Sequence, residues 1–545
     1  MDERELGMRR LELESPPPIF DFSNTAPDKE AQVDSLGEYQ IQTHACPLDT
    51  ILRLRTARAI AEKRLVRKQD AVILPMAILL YLASHLDRGN LGSARLQGLE
   101  QQVLNNSDTK YSIALSCFFI TYIVFSIPGT LLAKAINPST SISIGALIWS
   151  IAATCQAAAK TPGGLYTTRL FVGLGEAMFG QVVAFHLSLW YTKPELSKRV
   201  SLVLSGGAVA GAFSGLIAYG IGRLGDTAIQ PWRILFLMLV RPRHSHAHFL
   251  YAYFGGTSAP SEGLPSVMLA IVVFFCFPSR PSTSQFLTES ERALSRARMN
   301  DQSTYEASNG IKWAGVHRAL VDWKTYTFAI MYSCMNLTLG SVAGFLPTII
   351  RDLGYTSTDA QLWTIPPYLV ALVTTFALSS VSDRTQSRGI PVAVVFTIGM
   401  IGWSLLLGTP ATDASNTQFE LRYVGCICVV TAAYGAIPLI IAWVTANTGS
   451  ESQRAIGLGM LNTIGQCLSI VAAFAFPSRQ GPEYHEGVLL NVVFQGLGFT
   501  IAVFLTVFFR MENRRRDTIE GTPRTGVTLN TVQELDLAPG FRYTV

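Results

Sequence analysis

The sequence predicts an all-α integral membrane protein of twelve transmembrane helices, arranged as two six-helix halves. Three observations predict it. Mean hydropathy is +0.30 and only 15% of the 545 residues are charged, which does not describe a soluble domain with one packed core. The apolar residues fall in blocks near 69–87, 111–134, 140–158, 165–190, 200–222, 262–277, 323–350, 361–381, 390–408, 421–447, 454–476 and 487–510. A helix needs roughly 20 mostly apolar residues to cross a hydrocarbon layer of about 30 Å, and most of these blocks suffice. The longest internal polar stretch, Pro278 to Asp322, divides the chain in two.

Residues 1–68 are expected to form a disordered cytosolic tail, polar at first, with Ser-Pro-Pro-Pro at 15–18 and no cleavable signal. Between 51 and 68 seven Lys and Arg oppose the single acid Glu62. Cationic flanks stay on the cytoplasmic side, so the amino terminus is placed inside. Twelve crossings return the tail 511–545 to the same side, where Arg514, Arg515 and Arg516 follow the last block. The first half is read as 69–277, the cytosolic central loop as 278–322 and the second half as 323–510. Within the loop, Thr288 and Glu291 make a capping-box pattern ahead of a charged run, which predicts a surface helix. All eight cysteines but Cys46 lie in apolar blocks without a CxxC pair, so free, buried thiols are expected.

In the fifth block Gly207, Gly211 and Gly215 share one helix face, which predicts close helix packing rather than substrate contact. The sixth block, Glu262–Phe277, is only about 24 Å long at 1.5 Å per residue, too short to span. Joining Trp232–Met238 directly to Glu262–Phe277 gives 23 residues, a full span. The intervening 239–261 brings two arginines and three histidines into an apolar helix, and its 23 residues keep the reading frame. It reads as a translated, unspliced intron or gene-model error; the alternative is an outward loop.

Charged residues inside spans are costly and usually face a partner or a watery cavity. The fourth block contains Arg169, Glu176 and His186. Arg169 and Glu176 are seven apart, on one helix face; a fixed ion pair with another helix is one reading, and a Glu176 that takes and releases a proton is the other. His186 is expected to make a polar contact near the inner end. Asp87, Arg88 and Asn90 stand at the outer end of the first block, where a solvated helix terminus is the simplest reading. Asn336 is polar within the seventh block and could line a cavity or bond another helix. The second half has almost no charge at span depth, which points proton coupling to the first half. P-loop, HExxH and GxSxG signatures are missing. His244, His246 and His248 alternate, but within the anomalous insert, and no metal site is assigned. Asn105 opens a glycosylation sequon in the first outside loop.

Several strings resemble the fungal anion:cation symporter branch of the major facilitator superfamily, the allantoate, nicotinate and pantothenate permeases. They are YLASHLDRGNLGSARLQGLE at 81–100, YSIALSCFFITYIVFSIPGTLL at 111–132, TRLFVGLGEA at 168–177, LSLWYTKPELSKRV at 187–200, AGAFSGLIAYGIG at 210–222, GFLPTIIRDLGYTSTDAQLWTIPPY at 344–368 and the closing GFRYTV. The resemblance covers about 70–545 and implies the major facilitator fold, built from parallel six-helix repeats. It also implies proton-coupled uptake of small organic anions, and it puts Asp87, Arg88, Asn90, Arg169 and Glu176 in motif positions. After Glu176 the Phe-Pro-Gly of many relatives is replaced by MFGQVVAF, where Gln181 stands as a possible substitute contact. Between spans two and three only Lys134 remains of the expected acid and base, whereas the matching loop after span eight keeps Asp383 and Arg384 as gating residues.

Three functions compete: a proton symporter for a small organic anion at the plasma membrane, an exporter of a secondary metabolite, and a non-transporting nutrient sensor. No proline lies in 206–222, where drug antiporters of the superfamily carry a Gly-Pro pair, and this disfavours export. An enzyme is not expected. The expected partners are the bilayer and an anionic solute, with no nucleic acid, no cofactor beyond the proton gradient, and a monomeric chain.

Overall fold

In this computed structural model, which describes residues 48–223, 230–237, 264–300, 312–410, 416–521 and 534–545, every regular element described is helical. Among the described residues eleven helices are long and apolar enough to cross a membrane. They coincide with the expected blocks, the sixth excepted. Ser266–Cys276 is a shorter apolar helix.

The first helix begins at Leu48 and runs unbroken to Ala94. The basic run expected in a disordered tail is therefore helical, because nothing before Pro75 interrupts it. Its charges have partners at this end: Lys68 meets Glu291 at 2.7 Å, and Asp70 receives a fork from Arg199 at 2.6 and 2.8 Å. Beyond Ala94 a π-turn, Arg95–Leu99, contains Gly98 at φ 101°, a conformation that favours glycine, and the helix ends soon after.

The fourth span is Pro162–Ala177 followed by Gly180–Trp190, with a break at Met178 and Phe179. The eleventh is likewise interrupted, Glu451–Gly465 and Cys467–Phe474 meeting at Gln466. Such breaks expose backbone at membrane depth and are tolerated where protein or a cavity supplies partners.

The sixth span appears as two pieces, Pro231–Leu237 and Leu264–Cys276, both against the third span, Pro138–Cys155. Arg233 bonds the carbonyls of Ala157 and Ala159 at one end, and Ser279 meets Ser139 at the other. Residues 239–261 lie outside the described residues, as do His244, His246, His248 and Cys46.

The central loop is docked. Thr288 and Glu291 form the expected reciprocal cap (2.9 and 3.3 Å) ahead of the helix Glu289–Asn300. Arg298 then holds Glu195 at 2.7 and 2.8 Å. A second helix, Trp313–Val321, was not foreseen; Val316 and Ala319 pack on Ile456 and Met460 of the eleventh span. The last span continues to Glu520, and residues 534–545 fold back onto the bundle with Asp536, Phe541 and Tyr543 buried. The expected tail 511–545 is thus in part a packed element. Lys134, Arg388 and Arg516 also stand at this end, called the basic end below.

Candidate functional site

Asp87, Arg88 and Asn90 do not sit at a solvated terminus. The helix continues past them to Ala94 because the first span closes on the seventh, Trp323–Arg351. At Gly92 an added Cβ would lie 2.8 Å from the Ala343 carbonyl oxygen, so only glycine permits this approach. The closure puts Arg88 at membrane depth between the halves.

Arg88 donates through Nη2 to Glu176 Oε2, and only 1% of the Glu176 side chain is exposed. The arginine also lies over the rings of Phe118 and Tyr122, 4.8 and 5.5 Å from their centroids. Glu176 stands just before the break in the fourth span, so Phe179 and Gly180 line the same cavity. Glu176 thus has an interhelical ion pair, and its partner is Arg88 and not Arg169, because the packing of the first span on the fourth brings the Arg88 guanidinium to Glu176. Arg169 is buried nearby, its Nε and Nη2 meeting no hydrogen-bond acceptor among the described residues. Asp87 stands within electrostatic reach of both Glu176 and Arg169. Two cations and two acids therefore share one buried cluster.

Arg88 borders three adjoining small cavities. One is walled by Tyr81, His85, Glu176, Tyr332, Asn336 and Gln466. Tyr81 and His85 rings are 4.5 Å apart, and Tyr434 and Tyr368 continue the aromatic wall with centroids 5.6 Å apart. Asn336 Oδ1 accepts from Gln466 Nε2 at 3.4 Å, so the second half answers the charges of the first with an amide pair. Gly211 and Gly215 do serve packing, on Tyr368 and Thr364, but they also line the cavity beside Arg88.

The remaining candidates lie elsewhere. Asn90 is buried and donates to the Leu235 carbonyl at 3.4 Å, tying the first span to the sixth. His186 is buried against Phe277, ring centroids 4.6 Å apart. The side chain of Gln181 lies outside the described residues. Asn105 is exposed in a left-handed turn at φ 54°. Lys134 crosses to the second half and meets Glu451 at 2.8 Å. Asp383 pairs at 2.6 Å with Arg388, while Arg384 is exposed, because Arg388 opens the ninth span and points back under the loop. The buried charges of the second half, Glu451, Arg388, Arg422 and Asp536 among them, stand at span ends rather than at mid-depth.

Sequence reasoning missed Tyr81, His85, Tyr332, Tyr368, Tyr434 and Gln466. Tyrosines cost little inside an apolar span and leave no signal there. Gln466 and His85 carried one, the first as a polar side chain beside Gly465 in an apolar run and the second as an ionisable ring inside the first block.

Contacts close the interface between the halves at both ends. At the basic end Lys134 meets Glu451, and deeper in the interface Asn462 donates to Ser126 at 2.7 Å. At the other end the Tyr111 hydroxyl donates to the Gly344 carbonyl at 3.1 Å, and Asp108 accepts from the Ser478 hydroxyl at 2.7 Å. Charged, amide and aromatic side chains from both helical halves thus converge on small cavities between these two closures.

Comparison with known proteins agrees. Residues 77–240 match the Major Facilitator Superfamily, and 262–521 match the family described as Sugar (and other) transporter, leaving 241–261 uncovered. The chain is 30% identical to the MFS transporter prlL of Fungal sp. (strain NRRL 50135), over 84% of this chain and 88% of that one. It is 27% identical to the major facilitator-type transporter hxnP of Emericella nidulans, over 89% and 93% of the two chains. The fold resembles that of the proton:xylose symporter XylE with 6-bromo-6-deoxy-D-glucose bound, with TM-score 0.60 and 14% identity over 81% of this chain and 96% of that one. The chain belongs to the major facilitator superfamily of membrane transporters.

Proposed function

We propose that the protein takes up a small organic anion together with a proton by alternating access. It would work as a monomer in the plasma membrane with both termini in the cytosol. The observation that carries this reading is the buried Arg88–Glu176 pair at the junction of the three cavities.

Charge balance couples the two solutes. With Glu176 ionised, its carboxylate occupies the Arg88 guanidinium, and an incoming anion meets a neutral pair in a desolvated site. A proton on Glu176 removes that competitor. The guanidinium is then free to take a carboxylate in its planar fork. Anion and proton enter together, and the net charge of the loaded site equals that of the empty one. Arg169 adds a second positive charge beside the cluster, and Asp87 offsets it. The aromatic wall excludes water around the bound anion, which strengthens its attraction to Arg88. The proton gradient drives the cycle, and this reading calls for no other cofactor.

Glu176→Gln tests it. The amide imitates the protonated acid, so counterflow exchange of a labelled anion should persist, while accumulation against a gradient and its pH dependence disappear. The variant should fold and reach the membrane. Accumulation that survives with its pH dependence intact assigns the coupling elsewhere. Wild-type cells that take up nothing from a panel of carboxylates and vitamins favour the sensor reading instead.

A further inference from the structure

Part of the segment that sequence reasoning leaves as a cytosolic tail grips the basic end of the second half. Asp536 is fully buried, and its carboxylate gathers side chains from four elements. Arg318 of the central-loop helix donates at 2.9 and 3.1 Å, and Lys324 at the start of the seventh span at 3.1 Å. Gln453 at the start of the eleventh span donates at 3.3 Å, and Tyr543 of the segment itself at 3.0 Å. Thr544 exchanges hydrogen bonds with Asn447 at 2.7 and 3.1 Å and accepts from the Trp443 indole at 2.8 Å. Arg516 of the last span donates to the carbonyls of Asp536 and Phe541 at 3.2 and 3.1 Å. At Gly449 the backbone of Leu535 and Asp536 comes so near that no Cβ would fit.

The turn held in this way carries the gate. Glu451 lies between Gly449 and Gln453, and it accepts from Lys134 of the second span at 2.8 Å, with Arg280 at 3.7 Å. These contacts join the two halves at the basic end, and alternating access requires them to part.

We propose that residues 534–545 form a strap that sets the closing equilibrium of this gate, with Asp536 as the positioning residue that holds the Gly449–Gln453 turn ready for Lys134. The proposal rests on the chain being an alternating-access transporter, and not on which solute or ion it carries. A turn already fixed from behind loses little freedom when Glu451 meets Lys134, so the strap favours the closed gate. Without the strap the same pair must first order the turn, and the open gate gains population. Ionisation of Asp536 is secure: burial pushes its carboxyl up, but the opposing pull of Arg318 and Lys324 leaves it well below the usual carboxylate range. The strap is therefore a constitutive element of the gate and not a switch near neutral pH.

Hydrogen exchange on the full-length protein in lipid nanodiscs tests this, with wild type, Asp536→Asn and Tyr543→Phe compared. Tyr543→Phe removes a single hydroxyl and keeps the test decisive where Asp536→Asn does not fold. The strap's hydrogen bonds described above all go to the second half and the central-loop helix. A merely structural role therefore confines faster exchange to 447–454 and to the strap itself. The proposal expects amides of 126–135, across the gate, to exchange on the order of tenfold faster as well, the factor that loss of a hydrogen bond to a charged group gives. Lys134→Met, which opens the gate directly, supplies the reference pattern. A chain truncated after 533 that keeps wild-type exchange in 126–135 overturns the proposal, as does Asp536→Asn with the strap released and those amides unchanged.

Discussion

A single arginine organises the centre of this transporter, and the reasons are local. Arg88 has a carboxylate in Glu176, two rings in Phe118 and Tyr122, and a place on the border of every cavity described above. Sequence alone marks it only as a charge near an apolar block; its depth depends on the helix running on to Ala94 and on Gly92 admitting the seventh span. Lysine keeps the charge but loses the planar fork and the stacking on the rings. Arg88→Lys is therefore expected to raise the KM for the anion by roughly tenfold to a hundredfold, the range for hydrogen bonds to a charged group, with a smaller change in Vmax. Initial-rate uptake against concentration checks it, and an unchanged KM would remove Arg88 from the binding site.

At the scale of elements, the sixth span carries the clearest departure from a regular bundle. Its two helices hold 7 and 13 residues, and neither alone reaches across a hydrocarbon core of about 30 Å. Yet both lie along the third span, one bonded near Ala157 and the other near Ser139, which is the footprint of a single interrupted helix. The gap between the two family matches, 241–261, falls in the stretch between them. Residues 239–261 are accordingly proposed to be translated intron. Sequencing of the transcript should find messages that lack these codons, and deletion of the segment should raise transport. A message that retains the codons in every transcript rejects the proposal.

Across the whole molecule, ends and halves matter more than individual contacts. The proposed topology puts both basic flanks in the cytosol, so it expects tags at either end to become accessible only after permeabilisation. A carboxyl-terminal tag that is exposed on intact cells contradicts an even number of crossings. Docking of the strap has its own pH signature. The Asp536 carboxyl is held below its ordinary 3.8 in the folded chain, so its contribution is fully present above that value and is lost as pH falls through the lower, folded one. Limited proteolysis at 534–545 should consequently be the same at pH 7 and pH 5, and increased cleavage at pH 5 would show that another group governs docking. The membrane class, the two halves, the capped helix after Thr288 and the presence of Arg169 and Glu176 within a span all follow from sequence. Each is a local property: length of an apolar run, position of a polar gap, cost of a buried charge. Which acid meets which base did not follow. Glu176 pairs with Arg88 and not with Arg169, Asp383 with Arg388 and not with Arg384, and the tail becomes a strap on Gly449. Those choices are made between helices far apart in the chain, and only their packing decides which side chains come within reach.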